Sequence, residues 1–120
     1  MKESIALTKS EDFGVRIMNL YEYLKEKKAP FRIIEQVIAS GTSIGANLFE
    51  ARYGISDKDF LAKVHISLKE GSETLYWLRI LKRTNYLTEN QFNSLNSDGE
   101  EIMKILTATA KTLKSKLNIN

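Results

Sequence analysis

The stretch VIASGTSIGANLF, residues 37–49, carries no charge in a chain where 28% of residues are charged. Ile34, Val37, Gly41, Ile44, Gly45 and Leu48 recur at the spacing of one helix face. Yet the stretch holds two glycines, and each costs a helix interior about 1 kcal/mol relative to alanine. A helix that tolerates this must gain something from the missing side chains. Close approach of another backbone, with dispersion contacts at short range, is the physical candidate. Gln36, Ala39, Ser43, Ala46 and Asn47 fall on the opposite side of the wheel, where a solvated helix would normally carry lysines and glutamates. Both sides of this helix therefore avoid strongly hydrated groups.

Working outward, the same period extends over most of the chain. One proline in 120 residues and no alternating strand pattern point to an all-α fold. A first helix is expected over about 9–28, opened by Thr8 with Glu11 at capping-box spacing and closed by Ala29-Pro30. A second is expected over 31–53, with Pro30 at its start and Gly54 as its C′ residue. The third, 57–84, is capped by Ser56 and ends near Lys82, Arg83 and Asn85. The fourth, 89–117, opens with Thr88 and Gln91, and Asn96-Ser97-Asp98-Gly99 is either a soft region or a break inside it. Short connections between four amphipathic helices predict an antiparallel up-down-up-down four-helix bundle, one domain spanning 1–120.

Composition narrows the chemistry. There is no cysteine, and a single histidine, His65, cannot build a multi-histidine zinc site. No metal or cofactor is expected. No apolar run is long enough to span a bilayer, and the opening MKESIALTKSEDF lacks a secretory core, so the expected compartment is the cytoplasm. Glu70 and Glu73 share a face near Ile66 and Trp77, but a solvated or interface-rim pair explains them better than acid–base catalysis. No Glu precedes His65 at di-iron spacing, and no phosphate loop follows a strand. The chain reads as a non-enzyme.

Two surfaces stand out. Ile66, Trp77 and Ile80 lie opposite the core stripe of the third helix (Phe60, Leu61, Val64, Leu68, Gly71, Leu75, Leu78). Exposed tryptophan flanked by isoleucine is an interface signature, while a splayed bundle would tuck Trp77 against a loop instead. With Ser43 and Asn47 on the second helix, these residues are the expected subunit contact. The second surface is basic. The net charge is +3, and after Met103 the chain holds Lys104, Lys111, Lys114 and Lys116 with no acid. Such lysines either complement a helix dipole or meet phosphate. Lys82 and Arg83 are expected to extend the patch, and Tyr76 and Tyr86 either pack or stack on bases.

SGTSIGANLFEA, residues 40–51, and SETLYWLRILKRTNYLTENQF, residues 72–92, resemble the four-helix-bundle proteins encoded in intervening sequences of bacterial large-subunit ribosomal RNA genes. The resemblance covers about 12–114. Ser43, Ile44, Gly45, Asn47, Glu50 and Ala51 match one family motif, and Ser56, Lys58 and Phe60 match the next; Leu48 and Phe49 depart from it. Asn47 and Glu50 are expected either to make hydrogen bonds that hold the second helix, with Arg52 or Arg79 as the partner of Glu50, or to bind a partner. The family is often labelled ribosomal, and it is related to basic accessory proteins of diversity-generating retroelements. Those form homopentameric barrels and bind reverse transcriptase and nucleic acid. The resemblance thus implies a homo-oligomer, a pentamer, with RNA, DNA or a nucleic-acid-handling protein as partner. The expected function is a self-associating nucleic-acid- or ribonucleoprotein-associated scaffold; the alternative is a protein–protein adaptor that binds no nucleic acid.

Overall fold

The computed structural model describes residues 4–119. Four helices follow one another: α1 (Ile5–Glu26), α2 (Phe31–Ala51), α3 (Asp57–Arg83) and α4 (Glu89–Lys116). α1 begins four residues before its expected start. Ser4, not Thr8, is the N-cap, its hydroxyl accepting from the Leu7 amide at 3.1 Å. Thr8 lies inside the helix and donates to the Ser4 carbonyl. The capping box of Thr88 and Gln91 and the Ser56 cap are found as expected.

Three helices end in the same way. Lys28, Asn85 and Asn118 take positive φ, and the next amide reaches back to Leu24, Leu81 and Lys114 respectively. These are Schellman closures without glycine. Gly54 is not the C′ residue expected of it, because no glycine has positive φ among the described residues. A Cβ there would instead sit 3.2 Å from the Ala51 carbonyl oxygen.

Cross-helix contacts fix the topology. Gly41 of α2 meets Ile17 of α1, and Gly45 meets Ser10, so these helices run antiparallel. Ser67 Oγ donates to the Ile44 carbonyl and Thr74 Oγ1 lies 2.9 Å from Ser40 Oγ, antiparallel again. Gly71 faces Met103 and Gly99 faces Leu75 between α3 and α4. Lys9–Glu101, Arg16–Asp98 and Tyr23–Gln91 close α4 on α1. The result is an up-down-up-down bundle, 47 × 23 × 23 Å, in which each helix touches its two neighbours. Phe13, Ile17, Leu24, Ile34, Ile44, Leu78, Ile102 and Leu106 are fully buried along its axis.

The opening puzzle resolves on the inner face of α2. A Cβ at Gly41 would come within 2.8 Å of the Ile17 side chain, and one at Gly45 within 3.4 Å of the Ser10 backbone. The glycines let α1 approach closely. Asn96-Ser97-Asp98-Gly99 does not break α4. Gly99 is buried because Leu75 occupies the space of its missing side chain, and Asp98 is the partner of Arg16 at 2.6 Å.

Candidate nucleic-acid interface and subunit surface

The antiparallel order of α3 and α4 decides which cations share a surface. Lys111 and Lys114 come from the last turns of α4 and border a groove of about 480 Å³ against the first half of α3. His65 and Leu68 supply the facing wall, with Thr107, Ser115 and Ile119 beside the lysines, and no carboxylate among the described residues lines it. Lys104 is exposed two turns earlier on α4. Lys116 is already paired with Asp57 at 2.9 Å.

Lys82 and Arg83 do not extend this patch. Lys82 meets Glu89, in the first turn of α4, at 3.7 Å, and its ammonium stands 4.9 Å from the Phe92 ring centroid. From Glu89 to Lys111 the helix rises roughly 33 Å at about 1.5 Å per residue. Sequence proximity to the chain's second half suggested one patch; the hairpin puts the two groups at opposite poles. Arg83 is exposed there and borders a separate groove of about 860 Å³ with Arg79, Ile80, Phe92 and the acidic Glu100.

The expected subunit residues are distributed as follows. Ile66 is exposed. Trp77 is half-buried, packed against the bundle's own core, with its indole N–H donating to Glu73 at 3.3 Å and its ring 5.2 Å from Tyr76. Ile80 is half-buried and turns toward α4. Ser43 and Asn47 are half-buried and spend their hydrogen bonds within α2, Ser43 on the Ala39 carbonyl and Asn47 on the Ser43 carbonyl. Glu50 pairs with Lys63 at 2.6 Å rather than with Arg52 or Arg79. That bond ties α2 to α3 across the antiparallel seam.

Sequence reasoning missed an exposed aromatic cluster at the C-terminal end of α2. The Arg52 guanidinium stacks on Phe49 at 3.9 Å and lies 5.2 Å from Tyr53. Tyr53 and Ile55 are 74% and 94% exposed, a costly display of apolar surface. The departure of Phe49 from its motif was the available signal. Phe31 and Met18, 60% and 54% exposed, were also passed over.

Among the described residues no group of three metal-ligating side chains assembles, and no helix is long and apolar enough to cross a membrane. Fold and surface together define a small all-helical bundle protein whose described surface presents grooves, cations and exposed apolar area. The chain belongs to the 23S rRNA-intervening sequence protein family, whose profile matches residues 2–108. It is similar to a crystal structure from Bacteroides thetaiotaomicron VPI-5482, described as a protein of unknown function from the S23 ribosomal protein family. The two share 46% identity over 89% of this chain and 99% of that one, with a TM-score of 0.87. A comparison with curated proteins finds no match.

Proposed function

We propose that the protein is a non-enzymatic, self-associating bundle of the cytoplasm that acts as a nucleic-acid- or ribonucleoprotein-associated scaffold. The observation that carries the nucleic-acid half is the groove bordered by His65, Lys111 and Lys114, which no carboxylate among the described residues lines. Phosphate entering it meets cations without having to displace a bound acid. The lysines act as point charges and no base-reading element accompanies them, so the reading is of backbone contact without sequence preference. One groove neutralises few phosphates; the homopentamer implied by the family resemblance would repeat it around a ring. The family description, which places its members within rRNA-intervening sequence, supports the same direction.

Filter binding to a structured RNA at two salt concentrations tests this. Affinity should fall steeply with salt, by a log–log slope of about 0.9 per phosphate contacted on a duplex. The pair Lys111→Glu and Lys114→Glu should weaken binding and flatten that slope. An RNA left unbound even at low salt would leave the adaptor reading, which the Phe49, Arg52 and Tyr53 cluster favours. Tyrosine and arginine are the residue types that anchor protein interfaces.

A further inference from the structure

The outer side of α2 is self-complementary about a point in its middle. Phe31 and Phe49 are 18 residues apart, and so are Arg32 and Glu50. Eighteen residues make about five helical turns, so each pair occupies one angular position, roughly 27 Å apart along the axis. Phe31 and Phe49 lie along the α1 flank of this side; Arg32 and Glu50 lie roughly 100° further round, toward α3. Between the two rows run Glu35, Ala39, Thr42 and Ala46; Glu35 is exposed at the Arg32 end, and no charge interrupts α2 from Gln36 to Phe49.

A two-fold axis set perpendicular to α2 near residues 40–41 brings together groups at the same angle and at equal heights above and below it. Phe31 then meets Phe49 of a second copy, and Arg32 meets Glu50 of that copy, each twice over. The small residues allow the two α2 helices to approach at the centre. Met18 falls beside the axis, because its neighbour Ile17 packs on Gly41. The large exposed apolar side chains of this edge thus form a symmetric row, Phe31, Met18 and Phe49, at 60%, 54% and 46% exposure.

We propose that this face of α2, with Met18 of α1, is an isologous contact between two copies of the chain. The charge pattern selects a second copy as occupant. Arg32 and Glu50 are both exposed, and Arg32 makes no ion pair among the described residues. Glu50 carries Lys63 on one carboxylate oxygen, and a carboxylate has acceptor sites left for a guanidinium. An antiparallel copy supplies the opposite charge at both ends and an apolar row in register between them. An isologous contact closes on itself, so alone it gives a dimer, and it joins two rings if another face builds the ring. The inference rests on the self-association half of the function proposed above and gives it a face and a symmetry.

Charge exchange tests the symmetry. By sedimentation velocity over a concentration series, Arg32→Glu alone and Glu50→Arg alone should each weaken association about tenfold or more. The double variant, and an equimolar mixture of the two single variants, should recover it, since opposite charges then face each other again. Circular dichroism melts confirm that each variant is folded. Independently, the chain has no cysteine, so Met18→Cys should give a covalent dimer on mild oxidation while Tyr76→Cys should not. If wild type is monomeric at every concentration, this inference falls together with the self-association reading. If wild type assembles but neither single variant weakens it, or the double variant stays as weak as the singles, self-association stands and this contact is overturned.

Discussion

Six glycines sit in this chain, and three of them show how the same substitution can have opposite signs. At Gly41 an added methyl meets Ile17, a fully buried and β-branched side chain with little freedom to turn. Gly41→Ala should destabilise by about 1–3 kcal/mol, the cost of overpacking less the helical gain. At Gly71 the methyl meets the Met103 sulfur, the flexible end of an adaptable side chain. Gly71→Ala should therefore be close to neutral. Gly14 has open space where its Cβ would be, so Gly14→Ala should stabilise by about 1 kcal/mol from propensity alone. Ser10 adds a fourth case: its hydroxyl is buried without a partner against the glycine-bearing stretch of α2. Ser10→Ala removes that group and should raise stability by about 1 kcal/mol. Urea melts rank all of these variants. The sequence announced Gly41 and Gly45 as a place of close approach, since their helical cost has to be offset. It could not say that Ile17 and Ser10 were the approaching residues, because they lie in another helix and only the packed bundle pairs them.

At the scale of the element, local chemistry made most boundaries legible and also explains the two misreadings. Thr88 and Gln91 satisfy each other's backbone amides reciprocally, at 2.9 and 3.1 Å, a pattern visible in four consecutive residues. Thr88→Ala should cost about 1 kcal/mol, read from the thermal midpoint. The start of α1 was misplaced because Thr8 and Glu11 show the same spacing, while Ser4 is also a good cap and lets α1 begin a turn earlier. Gly54 looked like a helix stop by residue type, yet the turn after α2 never enters the left-handed region. That region is filled instead by Lys28, Asn85 and Asn118. Asparagine tolerates it; lysine pays a steric penalty there. Lys28→Gly should accordingly stabilise the α1–α2 corner by about 1 kcal/mol, measured in the same melts.

For the whole molecule, helix order and hand-to-hand packing followed from four stripes and short links, but the surface did not. Lys82 and Lys111 are both cations on neighbouring helices, and only the reversal between α3 and α4 separates them into two poles. The wheel of α3 put Trp77 outside, whereas the packed bundle half-covers it with its own core. Large apolar area lies instead along the α1–α2 edge, to which α1 contributes Met18 and α2 contributes Phe31 and Phe49. The closing seam has its own character. Three of the four helix pairings join consecutive helices; the fourth, α1 with α4, joins the ends of the chain and is bordered by Lys9–Glu101, Arg16–Asp98 and Tyr23–Gln91. Half-exposed ion pairs of this kind contribute about 0–1 kcal/mol each. Hairpins α1–α2 and α3–α4 can each zip locally and quickly, leaving this polar margin as the last to shut and the first to part. Amide exchange should then reveal this seam opening first, while the two halves stay joined along α2 and α3, where Ser67 bonds the Ile44 carbonyl and Thr74 meets Ser40.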